Sequence, residues 1–210
     1  MIELLRYEST IYDANCLVYF VFVFEEKDRL GNKVTIIGPN TSRVQRITNG
    51  LLAKNKRIRT LRAAWEEAEK ITVASALNDA LKEGYIQMAL GVEGHMTAML
   101  RFRLVSPLKR QLAELKGKPW LLIEGIFSPK PERIGALRQA YANFAADPEK
   151  QKLIPPYKGD PSLVDLALIL YSGESKLPLL TNDRELYNFS ADLRAMGFCE
   201  LIKAFPYVKF

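Results

Sequence analysis

Apolar residues gather along this chain in short runs that alternate with longer stretches of helical spacing. The first run, TIYDANCLVYFVF over 10–22, is rich in Ile, Val, Tyr and Phe and predicts a strand. A polar turn over 25–33 with Gly31 follows, then VTIIG as a short strand or extended piece before Pro39. SRVQRITNGLLAKN, capped by Thr41 or Ser42, and KRIRTLRAAWEEAEK both have helical spacing. ITVAS over 71–75 predicts a second parallel strand, with ALNDALKEGYIQMAL behind it as a helix. Residues 96–115 continue helically apart from Pro107, KGKP makes a break, and WLLIEGIF predicts a third strand. PERIGALRQAYANFA is an amphipathic helix opened by Pro131.

The last third repeats the pattern more sharply. Pro161 suits a first helical position, and Leu163, Leu166, Ala167, Ile169 and Leu170 then make an almost wholly apolar helix. Leu177, Leu179 and Leu180 predict a fourth strand that ends at Thr181-Asn182-Asp183. Leu186, Phe189, Leu193 and Met196 recur at helical spacing, and Gly197 stands where a helix stops. The closing CELIKAFPYVKF supplies a fifth strand and a tail. Strands alternating with helices predict an α/β fold, a mostly parallel central sheet of about five strands with helices on both faces. The excess helical material within 25–117 predicts a helical insertion on a single domain spanning 1–210.

Four acids interrupt this pattern. Asp13 lies inside the first apolar run, Asp79 or Glu83 follows the second strand, Asp165 sits in the first turn of the apolar helix, and Asp183 follows the fourth strand. Each has an ordinary reading when taken singly: Asp183 as a cap, Asp165 as a partner of the helix dipole, Asp13 as a satisfied structural acid. Asp79 and Glu83 share a helix face at i and i+4, and that face suits solvent too. Parallel topology nevertheless carries all four towards one edge, outside the carboxyl ends of the strands, where ligands of open α/β sheets collect. Carboxylates gathered there repel one another unless a cation neutralises them. Oxygen donors without His or Cys select hard ions such as Mg²⁺ or Mn²⁺, whose natural substrates are phosphates.

Composition narrows the chemistry. Cys16 and Cys199 are far apart with no CxxC or Cys/His cluster, and the only His, His95, lies beside Gly94 in an expected turn. Zinc sites and His-based triads are thereby disfavoured. The apolar run 16–24 is about half what a membrane span needs. MIELLRYEST lacks the basic start of a signal peptide, so a cytoplasmic protein is expected. Across 210 residues, 30 Lys and Arg exceed 24 Asp and Glu by 6, and Lys54, Lys56, Arg57, Arg59 and Arg62 crowd into KNKRIRTLR. That run is the densest candidate track for a polyanion.

IYDANCLVYF, ITVASALNDALKEG, PSLVDLALILYS and LLTNDRELYNFSADLRAMGF resemble, in order, the acidic motifs of PIN-domain ribonucleases, including the toxins of bacterial and archaeal toxin–antitoxin pairs. TNDRE and the helix carrying Asp165 are the most specific parts, and residues 25–70 fit poorly. The resemblance implies a PIN-like fold and a metal-dependent endoribonuclease whose Asp13, Asp165 and Asp183 hold Mg²⁺ or Mn²⁺. Asn15, Thr181 and Asn182 would be polar supports, Thr181 with its hydroxyl near metal-bound water. The family's second acid is a Glu near the start of the helix after strand two. Asp79 occupies about that place here, and Glu83, one turn later, has the usual residue type. RNA is the implied substrate, with an antitoxin protein and a second copy of the chain as candidate partners. The alternative is a PIN-fold RNA-binding or scaffold protein without catalysis.

Overall fold

The structure, a computed structural model, describes residues 3–27, 33–37, 41–71, 97–151, 162–199 and 202–204. ITVAS beyond Ile71, the helix expected to carry Asp79 and Glu83, and His95 all lie outside the described residues.

Strand β1 (Ser9–Tyr12) is shorter than its apolar run, because the chain turns at Asp13 into helix α1 (Ala14–Val21). The expected strand over 10–22 is thus half helix. An unbroken apolar run does not distinguish a buried strand from a buried helix by periodicity. What decides it here is Asp13, which has extended backbone and caps the helix by accepting the Asn15 N–H. Ala14, Cys16, Leu17, Val18, Tyr19 and Val21 are all buried in α1, so its apolar residues find a core on nearly every side.

A hairpin follows, β2 (Val23–Lys27) antiparallel to β3 (Lys33–Ile37), so part of the expected polar turn is strand. Helix α2 (Thr41–Leu52) leads into β4 (Arg57–Leu61), and α3 (Arg62–Ile71) starts at the very next residue. The helix expected over 56–70 is therefore a strand for its first part. Ile58 and Thr60 are buried, and Arg57 and Arg59 alternate with them on the opposite face, a period of two that the arginines disguise. Ile71 closes α3, and the second parallel strand among the described residues is β4.

The other elements that follow among the described residues are α4 (Thr97–Lys116, with Pro107 inside it), β5 (Leu121–Glu124), α5 (Pro131–Ala146), the short α6 (Pro148–Gln151), α7 (Leu163–Ser175), β6 (Leu179–Thr181), α8 (Arg184–Ala195) and β7 (Ile202–Ala204). Gly197 ends α8 with φ +70°, and the Phe198 N–H reaches back to the Leu193 carbonyl at 2.9 Å. The segment expected to be a helical insertion holds a hairpin and a central strand as well as helices.

The strands pair in parallel in the order β5-β4-β1-β6-β7. The chain thus moves outward from β1 in one direction and then, at β6, in the other. One core packs α1 to α4 against Tyr12, Ile58, Leu121 and Leu180, and a second packs α5, α7 and α8 against Ile11, Leu61 and Leu179. Alternate residues of each strand serve opposite faces, so the sheet is covered on both sides, as a parallel sheet requires. The order reverses between β1 and β6, and their carboxyl ends open the crevice where such folds bind ligands. Among the described residues no helix is long and apolar enough to cross a membrane.

Candidate functional site

The ladder between β1 and β6 runs to its end with the Asp13 N–H donating to the Leu180 carbonyl at 3.1 Å. Asp13 therefore sits beside the last residues of β6, and its side chain is 3 % exposed. Its Oδ2 accepts the Thr181 hydroxyl at 2.5 Å and its Oδ1 accepts the Asn15 backbone N–H at 3.3 Å. Thr181, fully buried, also receives the Asp183 N–H on the same hydroxyl oxygen at 2.9 Å. One hydroxyl thus ties two acids together.

Asp183 caps α8, its Oδ1 accepting the Leu186 N–H at 3.4 Å. Asp165 lies in the first turn of α7 and forms a reciprocal box with Ser162: its N–H donates to Ser162 Oγ at 3.1 Å, and its Oδ2 accepts the Ser162 N–H at 3.1 Å. The ordinary readings of Asp165 and Asp183 as helix-start residues are accurate as far as they go. All three acids nevertheless stand at the amino ends of helices α1, α7 and α8. The partial positive charge there offsets some of the repulsion among them.

Electrostatics ties the three together. The Asp13 carboxyl is pushed up to about 7, first by burial, then by the negative charge of Asp165 and to a lesser degree by Asp183, with the Thr181 hydroxyl and the Asn15 N–H opposing the rise. Cys16 lies directly beneath: its thiol donates to the Leu180 carbonyl at 3.3 Å, and burial, with Asp13's charge second, holds its pKa well above the usual thiol value. The Asn182 backbone reaches the site by bonding this sulfur, and Asn15 enters through its backbone N–H.

The donors suit a hard cation in kind, being carboxylate and hydroxyl oxygens without nitrogen. Among the described residues no three His, Cys, Asp or Glu side chains are grouped closely enough to hold a metal in their present rotamers. Thr181 and the Asn15 N–H each bond one oxygen of Asp13, Ser162 bonds Asp165 Oδ2 through both its N–H and its hydroxyl, and a carboxylate has about four acceptor positions in all.

The basic run does not share this location. Lys54 and Lys56 lie in the turn before β4, and Arg57 opens that strand opposite Ser9, the first residue of β1. These cations stand at the amino edge of the sheet, with a five-residue strand, roughly 13 Å long, between them and the acids. Arg59 points onto the sheet face, where it donates to Glu124 at 2.8 Å and Ser9 at 3.3 Å and meets the Tyr171 hydroxyl. Only Arg62, exposed at the start of α3, stands at the acids' edge.

Ser162 and Cys16 are the site neighbours that sequence reasoning passed over. Ser162 had a legible signal, since Ser-x-x-Asp before an apolar run is a capping box with a shorter acid. Cys16 had none beyond its burial. No protein-family model matches the chain, and no curated protein is significantly similar to it.

Proposed function

We propose that the chain is a PIN-like, Mg²⁺- or Mn²⁺-dependent ribonuclease that hydrolyses phosphodiester bonds at the carboxyl edge between β1 and β6. The observation that carries this reading is the meeting of Asp13, Asp165 and Asp183 in one electrostatic field at the point where strand order reverses. A divalent ion bound by these carboxylates would supply charge stabilisation on the phosphate and an activated water. The chain's own part is positional. Thr181 fixes the Asp13 carboxylate relative to Asp183, and Ser162 fixes Asp165 on the first turn of α7. Buried Thr181 and the packed start of α1 keep bulk water from the floor of the site.

An assay of single-stranded RNA with Mg²⁺, with Mn²⁺ and with EDTA, run beside Asp183→Asn, tests the reading. Cleavage that depends on metal and on Asp183 is expected; cleavage that survives either removal overturns it. The narrower role as a toxin with an antitoxin partner rests on the resemblance of the motifs alone. Co-purification with the product of a small adjacent gene would support it.

A second reading, RNA binding or scaffolding on the same fold without hydrolysis, is favoured by one observation: no three ligating side chains are closely grouped among the described residues. Calorimetric titration separates the two, since the scaffold binds no divalent ion at Asp13.

A further inference from the structure

Four large hydrophobic side chains stand exposed among the described residues: Ile126 at 85 %, Leu163 at 64 %, Tyr187 at 45 % and Met196 at 45 %. Three of them share the edge that carries the acids. Ile126 lies two residues beyond β5, Leu163 opens α7 two residues before Asp165, and Tyr187 is in the first turn of α8, its N–H donating to the Asp183 carbonyl at 3.1 Å. Met196 is at the far end of α8. Leu186, Phe189 and Leu193 turn the other side of α8 into the core, which leaves Tyr187 on the solvent side. Residues four apart on a helix stack one above the other, so the Tyr187 ring rises on the flank of the turn capped by Asp183.

We propose that Tyr187, with Leu163 beside the neighbouring acid, forms a rim on which an unpaired nucleobase stacks while its phosphate descends to Asp13. This rests on the nuclease reading and makes its substrate single-stranded at the reacting position. Asp13 is 3 % exposed, so a phosphate reaches it only by entering among the amino ends of α1, α7 and α8. A single strand can turn a phosphate inward and leave the attached base outside, where an aromatic face receives any base without regard to sequence. A base inside a duplex has both faces covered by its stacked neighbours. Arg62, one residue past β4, and Lys130, before α5, are exposed cations on the carboxyl side of their strands, and they match a polyanion that also carries apolar rings. The core of a protein–protein interface is instead depleted of charge.

Fluorescence anisotropy in EDTA, with a labelled oligouridine, an abasic strand of equal length and an RNA duplex, tests the proposal on the full chain. Tyr187→Ala should weaken oligouridine binding about tenfold, while Tyr187→Phe and the control Met196→Ala leave it unchanged. The abasic strand should bind wild type and Tyr187→Ala alike, and the salt dependence should be the same in both, because no phosphate contact is removed. Thermal melts of Tyr187→Ala check that the exposed ring is not needed for folding. Equal oligouridine affinity in Tyr187→Ala and wild type overturns the proposal and leaves the rim to a protein partner. So does equal loss on the abasic strand, duplex binding as tight as single-strand binding, or no binding of any strand. Ring-dependent binding without cleavage in Mg²⁺ or Mn²⁺ supports the stacking rim and removes the hydrolase reading instead.

Discussion

Asp13→Asn should turn a site residue into a source of stability at neutral pH. The wild-type carboxyl has a pKa near 7 in the fold against an ordinary value of 3.8. A group whose pKa is raised by folding contributes its full stability below the unfolded value and loses it as pH rises through the folded one. Between those limits the folded state binds a proton that the unfolded chain has released, so stability falls with pH. At about 1.4 kcal/mol for each pH step, the interval amounts to about 4 kcal/mol. Asparagine keeps the shape without the charge. Its Oδ1 can accept the Asn15 N–H, and its Nδ2 can donate to Thr181 Oγ1, which has two lone pairs for this donor and the Asp183 N–H.

The measurement is urea unfolding of both proteins in EDTA from pH 4 to pH 8, read as the difference between them. Groups remote from Asp13 are common to both and cancel, and the repulsion from Asp165 and Asp183 is part of the effect measured. The difference should already be changing at pH 4, just above the ordinary value of 3.8, move in favour of Asp13→Asn by about 4 kcal/mol by pH 8, and level off above about pH 7. A carboxyl carbon titration by NMR should place the wild-type midpoint near 7. If the difference stays constant across that range, or the midpoint lies near 4, Asp13 is not desolvated in the way its burial and its acidic neighbours require.

Thr181→Val removes the hydroxyl that ties Asp13 to Asp183 and should cost about 1–3 kcal/mol, more at pH 8 than at pH 5, in chemical denaturation. Gly173→Ala puts a Cβ 2.0 Å from the Phe198 carbonyl oxygen, so α7 and the turn after α8 must separate; calorimetric melting should show a loss of about 1–3 kcal/mol or more. Replacing Lys54, Lys56 and Arg57 with Ser should leave the salt dependence of RNA binding almost unchanged. Replacing Arg62 and Lys130 should instead flatten the log-log slope by about 0.7 for each lost contact. The opposite ranking in anisotropy titrations would place the RNA along the amino edge.

Two of the misread elements have separate physical causes. The run after Asp13 is apolar in every register, so its periodicity carries no vote between strand and helix, and its Val, Tyr and Phe content favours the wrong one. A single residue, Asp13 as a cap, marks the helix start, and an acid within an apolar run reads equally as an interruption of a strand. In β4 the alternation was present, but Arg57 and Arg59 made it resemble an exposed helix face. Arg59 is tolerated on a covered sheet face because Glu124, 65 positions away, neutralises it. Such pairing is invisible until the strands are aligned.

These errors displaced no described acid, and they misplaced nearly the whole basic run. The difference follows from topology. In a parallel sheet every strand-to-helix junction opens at the same edge, so an acid at any such junction arrives there whichever strand it follows. Asp13 changed from mid-strand to strand end and still met Asp183; Asp165 needed only to begin a helix that runs back towards a strand. A cation has no such protection. Moving KNKRIRTLR from a helix to a turn and a strand decides which edge each residue faces, and it sends Lys54, Lys56 and Arg57 to the amino side while Arg62, one residue past β4, stays with the acids. Position relative to a strand's two ends therefore governs which charges can act together, and a local density of charge along the chain does not.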